Sequence, residues 1–175
     1  MTDPRAGVYR TPDEVFLPLH ARHRFDLDAA ASADNAKVKR FFDERRDALR
    51  RRWNCRCFWL NNPYRRDNGC SVWVPYARRQ VEDGHALSGC LLVPVKAETE
   101  WWQDHVRGRN RVVASRKVTS GPLPGCWYRL REKRFDVEVL ELRGRVPFED
   151  DNTGRFASAL VFLNPGPQRA LLFDN

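Results

Sequence analysis

The 175-residue chain has no run of about 18 apolar residues, the length a membrane-crossing helix needs. No apolar core follows Met1-Thr2-Asp3-Pro4, so a secretory leader is not expected and the expected location is the cytoplasm. Cysteine is present five times, an odd number without framework spacing, which favours reduced thiols over a disulfide scaffold. A glycine-rich phosphate loop is missing, and no Ser/His/Asp or Cys/His grouping argues for nucleophilic catalysis. His20 and His23 have no second Cys or His pair, so no metal site is expected. Internal repeats and low-complexity segments are absent too. What remains is a single domain over residues 1–175, long enough to bury roughly 70% of its unfolded surface.

The net charge is +8 and it is localised. Residues 107–134 hold nine Lys and Arg against one acid, Glu132, while the rest of the chain balances at 22 against 22. A field concentrated in this way favours a polyanion, nucleic acid first. The same stretch, about 107–135, contains Gly121-Pro122-Leu123-Pro124-Gly125 and then β-rich alternating sequence, read as a hairpin insertion.

Along the chain, Thr11-Pro12-Asp13-Glu14 reads as a capped helix start, with Thr11 as cap and Glu14 closing a capping box. Phe25–Ala31 reads as a short strand running into small residues. A helical segment from about residue 33, a short element near 38–42 and an arginine-rich helix around 44–52 follow. Strands are expected at 55–60, 87–95 and 158–163, helices at 72–81 and 98–106, and a β segment at 137–142 within the hairpin region. Strand–helix alternation argues for an α/β fold, a mostly parallel sheet with helices on both faces.

Asn61-Asn62-Pro63-Tyr64 follows the apolar run Cys57-Phe58-Trp59-Leu60. A strand ending this way sets an amide, a carbonyl and a flat ring at the carboxyl edge of the sheet, where open α/β sheets bind ligands. An exocyclic amine on a planar base needs two acceptors for its N–H groups and a ring to stack on. Taken alone, Asn and Pro are ordinary turn formers.

The tetrapeptide resembles the Asn/Asp-Pro-Pro-Tyr signature of amino-group DNA methyltransferases, with Asn62 where the signature has its first Pro. Further stretches join it in order: Tyr9-Arg10-Thr11-Pro12, Phe25-Asp26-Leu27-Asp28-Ala29-Ala30, Asp47-Ala48-Leu49 with Trp53, Pro94 through Trp102, Arg143 through Phe148, and Ser158 through Phe162. Together they resemble the compact, phage-type, Dam-like DNA N6-adenine methyltransferases over nearly the whole chain outside residues 108–135. That resemblance implies a Rossmann-like class I methyltransferase fold, S-adenosyl-L-methionine as cofactor and site-specific methyl transfer to the N6 of adenine. It also implies a phage or restriction–modification setting, in a bacterial cell or an infected host.

The resemblance sets Thr11, Pro12, Ala29, Ala30 and Asp47 against the cofactor, together with Asp28 or Asp26; strand alternation puts both carboxylates on one side and leaves the choice open. Asn61 and the carbonyl of Asn62, with Pro63 shaping the turn, would hold the adenine amino group, localising its lone pair toward the methyl donor. Tyr64 would stack on a flipped-out adenine. Phosphate contacts fall to Arg65, Arg66, Arg109, Arg111, Arg116, Lys117, Arg129 and Arg131, with duplex DNA as the expected partner. Asn at 62 keeps the main-chain acceptor but loses the ring that fixes φ near −65°. Two other readings fit these residues: a catalytically impaired, basic DNA-binding relative, and a methyltransferase acting on RNA or a protein amide.

Overall fold

A computed structural model describes residues 9–64, 69–107, 110–117, 127–133, 137–148 and 156–164. Seven strands lie in it: β1 (Leu27–Asp28), β2 (Cys55–Leu60), β3 (Ala86–Pro94), β4 (Asn110–Lys117), β5 (Trp127–Lys133), β6 (Val137–Arg145) and β7 (Ala157–Leu163). Five form one sheet in the order β1-β2-β3-β7-β6. β1, β2 and β3 run parallel, with Leu27 opposite Phe58 and Trp59 opposite Cys90. β7 is antiparallel to β3, and β6 is antiparallel to β7. One end of the sheet is therefore parallel and the other antiparallel.

Alternation along the strands loads both faces with apolar side chains. Phe58, Leu60, Leu91, Val93 and Val161 share one core with Trp73, Val74, Ala77 and Val81 of helix α2 (Cys70–Glu82) and with Trp102 and Val106 of a π-helical segment, Trp102–Arg107. Trp59, Cys90, Leu92 and Leu160 face the other way, onto Phe16 of helix α1 (Asp13–His23), Phe25 and Phe148. Helices thus cover both faces, as the alternation of elements predicts. Gly89 permits the close packing of β2 on β3: a Cβ there would stand 2.1 Å from the Phe58 ring. No described helix is long and apolar enough to cross a membrane.

Four local expectations are corrected. α1 starts after an extended Pro12 without any side-chain cap, because the Thr11 hydroxyl is taken by Asn61. The arginine-rich stretch forms only a 3-10 turn, Ala48–Arg50. Asp47 and Asn54 have positive φ (41° and 45°), which breaks any helix there. The buried Trp53 between them is held by Gln80 Oε1 on its backbone N–H and by the Ala48 carbonyl on its indole N–H. Residues 33–35 make a turn rather than a helix, since Asn35 Oδ1 accepts from the Ser32 amide. Finally, 137–142 belongs to β6 of the main sheet and not to the hairpin region; β4 instead pairs with β5, Ser115 opposite Arg129 and Val112 opposite Arg131. A period-2 pattern cannot choose its partner, and the open edge of β7 does. The short element near 38–42 runs beside β1, with Phe41 bridged to Asp28 and the Asp28 amide donating to the Arg40 carbonyl.

Candidate active-site cleft

β2 ends at Leu60, and the chain then turns away from the carboxyl edge of the sheet through Asn61-Asn62-Pro63-Tyr64. Beside it, β1 ends at Asp28. A solvent-open cleft lies there, and Thr11, Asp28, Ala30, Asn61, Asn62 and Pro63 are among its lining residues. Six of the residues expected at the site are thereby brought together at one sheet edge.

Asn61 is half-buried and fully engaged. Its Nδ2 donates to the Tyr9 carbonyl at 2.6 Å and to Thr11 Oγ1 at 2.9 Å. Two acceptors on the nitrogen fix which way the amide faces. Its Oδ1 accepts from the Tyr64 hydroxyl at 2.8 Å. That hydroxyl also lies 2.9 Å from the Leu92 carbonyl, and its one proton must choose between them.

Asn62 is only 2% exposed. Its Nδ2 donates to the carbonyl of Pro63 at 2.8 Å and reaches Cys70 Sγ, the first residue of α2, at 3.5 Å. Burial pushes the Cys70 thiol up to about 11, so it stays protonated and neutral. A side-chain tether thus occupies the position where the signature has a rigid ring.

The Tyr64 ring is half-buried among Tyr9 (centroids 5.3 Å apart), Phe156 (5.3 Å) and Phe148 (6.5 Å). Burial raises its hydroxyl well above the usual phenol range. Sequence reasoning treats this ring as a free platform. In the fold it is one wall of an aromatic cage.

The two aspartates separate. Asp28 is 3% exposed and lines the cleft, its carboxylate accepting from the Lys37 amide at 3.0 Å and the Ala30 amide at 3.4 Å. Burial raises its pKa to about 6, against the opposing pull of those two amides and of the Lys37 charge. Asp26 is exposed and spends both oxygens on β2, accepting from the Arg56 amide at 3.1 Å and the Cys57 amide at 2.8 Å. It lines a different groove.

Other expected cofactor residues stand apart from the cleft lining. Pro12 is buried as the residue before α1, Ala29 is fully buried in the core, and Asp47 is ion-paired to Arg50 at 3.1 Å. Tyr9, Arg10, Asn35, Lys37 and Trp59 line the cleft without having been singled out for it. Tyr9 and Arg10 sit within the Tyr-Arg-Thr-Pro stretch, which was the available signal. Asn35 and Lys37 had none, because a turn brings them in. Arg65, Arg66 and Arg109 lie outside the described residues, as do the side chains of Arg111, Arg116, Lys117, Arg129 and Arg131.

A family model described as DNA N-6-adenine-methyltransferase (Dam) matches residues 1–163. The chain is 32% identical over 104 residues to a DNA N-6-adenine-methyltransferase of Escherichia phage T1, covering 58% of this chain and 42% of the relative. It is 29% identical over 121 residues to a DNA N-6-adenine-methyltransferase of Haemophilus phage HP1 (strain HP1c1), covering 67% and 65%. In both cases the match spans less than two thirds of the relative's own length.

Proposed function

The chain belongs to the DNA N-6-adenine-methyltransferase (Dam) family, and from that premise we propose that it transfers a methyl group from S-adenosyl-L-methionine to the N6 amino group of adenine in DNA, at the cleft between Asp28 and Asn61. The observation that carries this reading is the amide of Asn61. Its nitrogen is held by the Tyr9 carbonyl and the Thr11 hydroxyl, which dedicates Oδ1 to accepting a proton from a ligand.

The amino nitrogen of adenine is a weak nucleophile because its lone pair is shared with the ring. Asn61 Oδ1 and the main-chain carbonyl of Asn62 each accept one of its N–H groups and turn the lone pair out of the ring plane. For Oδ1 to do so, the Tyr64 hydroxyl gives its proton wholly to the Leu92 carbonyl, which already lies 2.9 Å away. The exchange costs little, since one hydrogen bond replaces another of equal type. Tyr64 then offers its ring to a flipped adenine from within its contacts with Tyr9, which itself lines the cleft, and Phe156.

The cleft suits the cofactor chemically: Asp28 is a buried carboxylate that would accept ribose hydroxyls or an ammonium, and the small side chain of Ala30 lines the cleft beside it. When bound, S-adenosyl-L-methionine supplies an electrophilic methyl group on a sulfonium. The protein's part is to align, desolvate and polarise. The β1-β2-β3-β7-β6 order is compatible with a Rossmann-like class I core. In β5, Arg129, Arg131 and Lys133 occupy alternate register positions opposite β4. This supports the basic 107–135 insertion as a phosphate-contacting hairpin on duplex DNA. Action in the cytoplasm follows from such a substrate.

Transfer of tritiated methyl from S-adenosyl-L-methionine to adenine-containing duplex DNA tests the proposal directly. Wild-type protein should label the DNA, and Asn61→Ala should lose roughly a hundredfold or more. If wild type neither labels DNA nor binds the cofactor, the reading fails.

A further inference from the structure

The 22 cations and 22 acids outside residues 107–134 cancel in number but not in space. Residues 37–56 hold nine Lys and Arg against three Asp and Glu, and the stretches outside both segments hold 13 against 19. Eight of those nine cations are exposed; Lys37 is half-buried. Eight of the nine lie on the connection between β1 and β2, and Arg56 lies on β2 itself.

Several of these guanidinium groups are fixed without being neutralised. Arg40 donates to the carbonyls of Trp53 at 2.6 Å and Asn54 at 3.0 Å. Arg46 donates to the Phe41 carbonyl at 2.9 Å and lies over the Phe41 ring, and Arg51 donates to the Arg46 carbonyl. The Tyr76 hydroxyl in turn donates to the Arg51 carbonyl at 2.9 Å, and Arg79 lies over the Tyr76 ring. A carbonyl orients a guanidinium but leaves its charge whole and its remaining donors free. Carboxylate pairing is confined to Lys37 with Asp13 and Arg50 with Asp47 among the described residues of this group. Lys39, Arg40 and Arg46 line an open groove together with Asp26, and Lys37 borders both this groove and the cleft of Asn61.

We propose that this 37–56 surface is a second DNA-contacting face, holding the phosphate backbone beside the adenine presented to Asn61. The proposal rests on the reading of the chain as a DNA methyltransferase. Oriented guanidinium groups match phosphate oxygens, and a group of nine cations against three acids suits the repeated charge of a duplex better than an isolated anion. These contacts position the strand and carry no base information.

The test neutralises three exposed members that make no contact needed by the fold, in the variant Lys39→Gln/Arg45→Gln/Arg52→Gln. Binding of a fluorescein-labelled mixed-sequence duplex is followed by anisotropy across a salt series, beside wild type and beside Arg129→Glu/Arg131→Glu. The triple variant should bind roughly ten- to a hundredfold more weakly near 0.1 M salt, and its log–log salt slope should shrink by about two to three. Cofactor binding measured by calorimetry should match wild type. An unchanged slope and affinity overturn the proposal, as does weakening seen with single-stranded RNA but not with the duplex. Methyl transfer by wild type is scored in the same preparation. Transfer present with an unchanged slope removes this face and keeps the activity; transfer absent with a reduced slope removes the activity and keeps the face.

Discussion

The Tyr64 hydroxyl stands 2.8 Å from Asn61 Oδ1, so the oxygen proposed to accept adenine's amino proton already carries a surrogate donor. A placeholder of this kind keeps a half-buried acceptor satisfied while no base is bound. It also divides what Tyr64 does between its hydroxyl and its ring. Tyr64→Phe keeps the ring and frees Oδ1, and should retain transfer within about tenfold, with a stability loss of about 1 kcal/mol from the missing bond to Leu92. Tyr64→Ala removes a wall of the aromatic cage and should cost at least a further tenfold in kcat. Tritium transfer kinetics and thermal melts separate the two; a Phe variant as inactive as Asn61→Ala would make the hydroxyl itself essential.

Thr11 holds Asn61 from the far side, through Oγ1 at 2.9 Å. Thr11→Val keeps the shape and deletes the acceptor, leaving the Tyr9 carbonyl as the one remaining tether on Nδ2. We expect kcat to fall roughly five- to thirtyfold, with KM for the cofactor little changed, as for the loss of one hydrogen bond to an orienting amide. Thr11→Ser should restore most of it. Equal losses in Val and Ser variants would point to packing by the methyl group instead.

Asp28 gives stability a defined pH dependence. Its pKa in the folded state is about 6, raised by burial from the ordinary carboxylate range near 4. The folded protein therefore holds a proton between those values that the unfolded chain has lost. Stability from this group is fully present below pH of about 4 and falls as pH rises to about 6, by about 3 kcal/mol in total. Asp28→Asn should flatten that part of a melting-temperature profile and melt higher than wild type at pH 8. Cofactor affinity should rise with pH through about 6 in wild type, because the carboxylate is the accepting form, and titration calorimetry at pH 5 and 7.5 reads this. A wild-type profile as flat as that of Asp28→Asn would place the carboxyl in solvent.

Asn62→Pro restores the rigid ring of the signature but removes the amide that bonds the Pro63 carbonyl and Cys70. Because the side chain already tethers this turn, kcat should stay within about threefold of wild type. Asn62→Ala lacks ring and tether alike and should lose more than tenfold, with about 1–3 kcal/mol of stability lost at the buried site. A large gain in Asn62→Pro alone would mean that Asn at this position impairs the enzyme.

Much of this was readable in the chain. The strand before Asn61 is apolar in every residue but Arg56, as a strand covered on both faces must be, and its end is marked by turn formers. Helix α2 and strands β3 and β7 follow the same logic and fall within two residues of expectation. The basic 107–134 segment is visible because nine cations fall within it beside a single acid. The excess over 37–56 also shows in a local count, but its exposure and the carbonyls that orient its guanidinium groups are decided by the fold.

Sequence by itself determined which chemistry the chain carries: an Asn-x-Pro-Tyr turn at a strand end, aspartates at another, and a charge excess suited to a polyanion. Local patterns suffice there, since strand burial and turn formation depend on near neighbours. Only the tertiary structure decided which atoms are committed. It gave Asp26 to the β2 amides and Asp28 to the cleft, took Thr11 from the helix cap for Asn61, and set β6 against β7 rather than in the hairpin. Most of these choices are long-range hydrogen bonds or strand pairings, and several partners satisfy one local pattern equally well until the sheet closes.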